Sequence, residues 1–280
     1  MQVAPITDAD VDAAAGFLHA HLNTGVAQEV WAAAMNPPWG VDAPNHGFIL
    51  RQDDDVMGVL LAFYSRRRVQ GVDVDVCNLG AWCVLPEARL RSVGMLKTAL
   101  AQDGYVFTDL SPSGSVVALN RRLGFTELDS SAVLLPCVPR LPRRHHRVVM
   151  DLDEIPSHLD EDQRRLYEDH RGTLAARHAV LIAPDGPCYV IYRRDRRRGL
   201  PVFATVLYAS HPPRFQRMAG RFAGRLLRSG VLAVLVDERI GGRPRGARPV
   251  TMNRPKMVRS TSVRPVALDY LYSELVCVPW

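Results

Sequence analysis

The sequence predicts an α/β (α+β) protein whose mixed, mainly antiparallel sheet is flanked by helices and repeated in two tandem domains.

 Three observations carry this. Long β-rich runs follow one another across short turns, amphipathic helical stretches are interleaved with them, and a proline- and arginine-dense segment divides the 280 residues into halves with the same order of elements. A chain of this length exceeds the ~100–150 residues usual for one domain. Hydrophobic residues make up 47% and charged residues 23%, so each half has apolar surface enough for a core.

Taken in order, Asp8 in TDAD precedes a helix in which Val11, Ala14, Ala15, Leu18 and Leu22 recur at helical spacing. A second short helix over 28–35 is stopped by Pro37-Pro38, and a strand follows at Gly47 to Arg51. Asp53 to Asp55 reads as a hairpin turn. Val56 to Ser65 and Val72 to Leu85 are β-rich runs, giving a three-stranded antiparallel meander. Next come a helix with Val93, Leu96, Ala99 and Leu100 on one face, a strand at Tyr105 to Leu110, and a helix from Gly114 to Leu123 that ends at Gly124.

The segment Leu135 to Arg147 cannot hold a regular helix and reads as a linker. The expected division is therefore 1–134, a linker at 135–150, and 151–280. The second half reads as a helix over 160–172, strands at 178–183, 188–194 and 202–209, a helix over 214–228 and the strand VLAVLVDE. This repeats the element order of the first half, although the residues show no clear repeat. The tail closes on LDYLYSELVCVPW, an apolar, aromatic stretch that is expected to pack back on the fold.

Composition narrows the function. The five cysteines form no C-x-x-C pair and read as reduced core thiols, so neither disulfides nor a metal site is expected. With no apolar run of about 18 residues and acidic residues near the N-terminus, the expectation is a cytoplasmic protein without membrane insertion. The net charge of +6 is almost all arginine, with Lys97 and Lys256 the only lysines. Its clusters at Arg66–Arg68, Arg143–His146 and Arg193–Arg198 lack interleaved aromatics, so a nucleic-acid partner is not expected.

The informative segment is NLGAWCVLPEARLRSVG, residues 78–94. A strand that runs through a short arginine-bearing turn into a helix presents unpaired N–H groups and the positive end of the helix dipole to one point, which suits a diphosphate. The order Arg89-Leu90-Arg91-Ser92-Val93-Gly94, with Gly58 before it, Pro86-Glu87 ahead of it and Leu123-Gly124-Phe125 after it, resembles the GCN5-related N-acetyltransferases over roughly residues 1–130. Ser92 stands where that family usually has its first glycine.

The resemblance implies a sheet whose fourth and fifth strands splay apart around the pantetheine arm of acetyl-CoA or another acyl-CoA. It places Trp82, Cys83 and Val84 along the arm and the residues from Arg89 to Met95, namely Arg89, Leu90, Arg91, Ser92, Val93, Gly94 and Met95, at the diphosphate. The implied reaction is direct attack by an acceptor, usually an amine, on the acyl carbonyl. The family often has a tyrosine where this chain has Asn120, which is assigned here to the cofactor site. Asp109 is the candidate base, with a turn-capping aspartate as the other reading. Cys83 reads as structural, and His19 and His21 as surface residues. The turn Ala209 to Arg214 replaces two amide donors with Pro212 and Pro213, so the second half is expected to be a degenerate copy without a phosphate cradle. Residues of RPKMVRS, 254–260, and Tyr270, Tyr272 and Glu274 read first as packing and second as lining of an acceptor pocket. The acceptor itself is an unidentified small molecule or envelope precursor. The competing function is a binding or sensing module of the same fold without turnover.

Overall fold

A computed structural model describes the chain except for residues 70, 130, 142, 198–199, 252–254, 261–267 and 280. In chain order the elements are β1 (Gln2–Pro5), α1 (Val11–His21), α2 (Gln28–Met35), β2 (Gly47–Gln52), β3 (Asp55–Val69), β4 (Val72–Val84), α3 (Arg89–Leu100), β5 (Tyr105–Asp109), α4 (Gly114–Arg122), β6 (Thr126–Glu127) and β7 (Ala132–Pro136). The second half has β8 (Arg147–Val149), α5 (Glu161–Arg171), β9 (Ala176–Ala183), β10 (Gly186–Arg197), β11 (Leu200–Ala209), α6 (Pro212–Leu227), β12 (Ala233–Asp237), α7 (Glu238–Gly241), β13 (Arg248–Val250), β14 (Met257–Arg259) and α8 (Glu274–Cys277). Arg198 of the second-half arginine cluster, Arg254 of the RPKMVRS segment and Trp280 of the tail lie outside the described residues. Among the described residues no helix is long and apolar enough to cross a membrane.

The meander forms as its alternation requires. β2, β3 and β4 are antiparallel neighbours, and Gly47 opens β2 at φ +123°, in the region that favours glycine. A Cβ there would stand 2.1 Å from the Leu60 carbonyl oxygen. Gly47→Ala is therefore expected to destabilise the protein by more than about 1 kcal/mol, read as a lowered urea midpoint.

Two seven-stranded sheets result, ordered β1-β2-β3-β4-β5-β14-β6 and β13-β7-β12-β11-β10-β9-β8. Each contains one parallel pair, β4 with β5 and β11 with β12. Each is also completed by a strand from the other half of the chain. β14 pairs with β5, Met257 opposite Asp109, and β7 pairs with β12, Ala132 opposite Asp237. The stretch expected as a linker thus begins inside a strand: Val133 and Leu135 are buried in the second sheet's core, and Pro136 sits at the strand end, where its missing N–H is tolerated. Neither half closes its own sheet.

The tail from Leu268 to Val278 packs between the halves, as its apolar composition requires. Ala175 N–H donates to the Val276 carbonyl (3.0 Å) and Arg193 donates to the Leu275 carbonyl (2.9 Å). Tyr272 stacks edge-on against Trp39 and His170, ring centroids 5.2 and 4.5 Å away.

Candidate active site

β4 and β5 are bonded only from Asp75 opposite Tyr105 to Leu79 opposite Asp109. Beyond that point β5 turns away through Ser111-Pro112-Ser113, while β4 continues to Val84 beside β3. The edge of β4 facing β5 is consequently unpaired over 80–84. A bulge in the β3–β4 ladder between Val59 and Leu61 puts Ala81 at φ 48° and bends the strand, which re-aims this edge. The wedge so opened is a cavity of about 500 Å³, lined by Gly80, Ala81, Trp82, Leu96, Asp109 and Ser111 among others.

Asp109 and Arg196 are the charged residues that line the wedge among the described residues. Asp109 closes β5, is only 9% exposed, and accepts a 2.8 Å hydrogen bond from Asn120 Nδ2. Burial, with the Glu274 carboxylate nearby, pushes its carboxyl up to about 7. Glu274 comes from α8 in the tail and has no exposed surface. Its carboxylate accepts from Ser111 Oγ (2.6 Å) and from Asn78 Nδ2, whose Oδ1 accepts from Thr108 Oγ1 at 2.9 Å. The tail approaches β4 at the one place without a side chain: a Cβ on Gly80 would stand 3.1 Å from the Glu274 side chain. Burial pushes the Glu274 carboxyl upward as well.

No protein-family model matches the chain, and no curated protein matches it. Solved structures do. A GCN5-related N-acetyltransferase from Anabaena variabilis superposes with a TM-score of 0.61 at 15% identity, covering 92% of this chain and 72% of its own. Eis1 from Mycobacterium abscessus gives 0.53 at 15% identity, over 92% and 73%. A GCN5-related N-acetyltransferase from Kribbella flavida gives 0.52 at 14%, over 92% and 71%. The chain has the GCN5-related N-acetyltransferase fold. The likeness spans both halves, where the sequence resemblance reached only the first.

Within that acetyltransferase fold, Trp82, Cys83 and Val84 lie on the unpaired edge of β4. Cys83 is half-buried and burial raises its thiol, which disfavours the thiolate and agrees with a structural role. The arginine-bearing turn is itself the start of the helix. A 3₁₀ turn over Pro86–Ala88 runs directly into α3, which starts at Arg89, because Pro86 supplies the φ of a helix start. Arg89, Leu90 and Arg91 are exposed on its first turn, Leu90 at 96%. Ser92 Oγ donates back to the Arg89 carbonyl (2.6 Å), Val93 is half-buried, and Gly94 has open space where a Cβ would be. The side chains of Met95, on the inner face of α3, and of Asn120, against Asp109, are buried.

His19 Nδ1 lies 2.8 Å from the Val26 carbonyl, and the His21 ring packs on Phe17. In the second half, Asp237 ends β12 as Asp109 ends β5, but it is occupied: Tyr270 Oη donates to its carboxylate, and Arg239 N–H to the other oxygen at 2.8 Å. Lys256 Nζ sits 4.5 Å above the Tyr270 ring. Sequence reasoning placed Glu274 first among packing residues and missed Ser111 and Asn78 as its partners. The available signal was an acid within the apolar run YLYSELVCV, since a buried carboxylate requires donors from elsewhere in the fold.

Proposed function

We propose that this protein is an acyl-CoA-dependent acyltransferase that moves an acyl group, acetyl in the first instance, to an amine of a small-molecule acceptor. The observation that carries the reading is the wedge itself: an unpaired β4 edge faces the buried carboxyl of Asp109, which burial pushes up to about 7. The free main-chain groups over 80–84 suit the amides of a pantetheine arm, which pair with a strand edge as another strand would. The first turn of α3, with Arg89, Arg91 and the open side of Gly94, suits the diphosphate. Acyl-CoA supplies the activated carbonyl. Asp109 takes the proton from the acceptor amine, a task that matches a base poised near 7. The second half, whose corresponding carboxylate is tied up by Tyr270 and Arg239, is read as a degenerate copy that walls the acceptor side.

Charge reversal of Arg89 and Arg91 to Glu is expected to weaken acetyl-CoA binding about tenfold or more in titration calorimetry, with thermal stability unchanged. Unchanged affinity would count against the start of α3 as the diphosphate site. A second reading, acyl-CoA binding without turnover, is favoured by Asn120 at the family's tyrosine position. Release of free thiol from acetyl-CoA in the presence of primary amines decides between them.

A further inference from the structure

Departure of a thiolate is assisted by a proton, and Asn120, an amide, has none to give at neutral pH. Among the described residues lining the wedge, those with a side chain able to hand over a proton to a ligand are Asp109, Ser111 and Ser113. Asp109 is committed to the incoming amine, and Ser113 is exposed with only Ser115 Oγ, 3.5 Å away, beside it. Ser111 differs in having a carboxyl directly behind it, with Oγ 2.6 Å from Glu274 Oε1.

We propose that Ser111 is the general acid of the reaction and that Glu274, a positioning residue delivered by the tail, supplies the proton through it. The inference rests on the acyltransferase reading above. Asp109 and Glu274 are buried near one another, and burial raises both carboxyls, so one proton can be shared between them. When that proton sits on Glu274 Oε1, the Ser111 oxygen accepts it and the Ser111 O–H is free to point into the wedge. Asn78 Nδ2 remains bonded to the other oxygen, Oε2, and fixes which oxygen carries the proton.

The atoms then balance. The acceptor nitrogen forms a bond to the acyl carbon, the carbon–sulfur bond breaks, and its electron pair stays on sulfur. Asp109 receives the amine proton, sulfur receives the Ser111 proton, and Ser111 receives the Glu274 proton. The pair is left with its proton on Asp109 rather than Glu274, and exchange with water in the wedge resets it. Besides Asp109, the charged or titratable groups facing Glu274 are Arg193 on β10, Lys256 ahead of β14, and Cys277 on its own helix.

The test uses the full chain with acetyl-CoA and a set of aliphatic and aromatic primary amines, following thiol release against pH and acetyl-CoA affinity by calorimetry. Ser111→Ala is expected to lower kcat by ~10- to 100-fold with acetyl-CoA affinity unchanged. Glu274→Gln keeps both hydrogen bonds but cannot release the proton. It is expected to lower kcat similarly and to abolish the fall of kcat at high pH, which a purely structural role would not touch. If wild type turns over and Ser111→Ala stays within about twofold of it, the relay is wrong and the acyltransferase reading survives. Should Glu274→Gln fail to fold, Ser111→Ala decides alone by the same criterion. A wild-type protein that neither binds acetyl-CoA nor releases thiol overturns both.

Discussion

Asp109→Asn lowers kcat by about 10²–10⁴-fold, the range of general-base catalysis, while acetyl-CoA affinity stays within about twofold of wild type. In wild type the same residue gives kcat/KM a rise with pH through about 7, because the base acts only when ionised. The variant lacks that rise. Stability moves the other way. A carboxyl whose folded pKa is raised stabilises the fold below its unfolded pKa, and that contribution is lost as pH climbs through the folded value of about 7. Asparagine never ionises, so at pH 8 the variant is expected to be more stable by roughly 1–4 kcal/mol, an advantage that vanishes below about pH 4. Gain of stability together with loss of turnover marks a functional carboxylate; loss of both would mark a structural one.

The second large effect is on stability alone. Asp237 is almost fully buried, accepts from Tyr270 and from Arg239 N–H, and lies 3.6 Å from Arg239 Nε, with Lys256 above the same tyrosine ring. Asp237→Ala leaves two buried cations without this counter-charge, and a loss of about 3–5 kcal/mol is expected from the guanidinium chloride midpoint. Because Asp237 pairs with Ala132 of β7 and Tyr270 belongs to the tail, the loss falls on the contact between the halves. Acetyl-CoA affinity of the fraction that remains folded is expected to be unchanged.

What could be read from the sequence follows the range of the interactions involved. α2 lies at 28–35 as its periodicity and Pro37 dictate, and β4 covers all but the last residue of its β-rich run, because both are set by neighbours in the chain. The exchange of β7 and β14 was not legible. A five-residue and a three-residue strand carry little pattern, and their partners lie about a hundred residues or more away in the chain. The proline-rich run after β7 is what drew the expected division there. At the site, β4 and β5 part as the resemblance implied, and Asp109 stands at its strand end as read from the sequence. The arginine-bearing turn is already helical because Pro86 suits a helix start as well as a turn. Glu274 stayed hidden because its donors, Asn78 and Ser111, are more than 160 positions away.

The central claim is that the wedge between β4 and β5 takes acyl-CoA. Titration calorimetry of the full chain with acetyl-CoA tests it most directly, alongside the variant in which Arg89 and Arg91 are both replaced by Glu. The account predicts saturable one-to-one binding of about micromolar strength in wild type, reduced by roughly tenfold or more in the variant. Absence of binding in wild type, or equal binding in a folded variant, would contradict it.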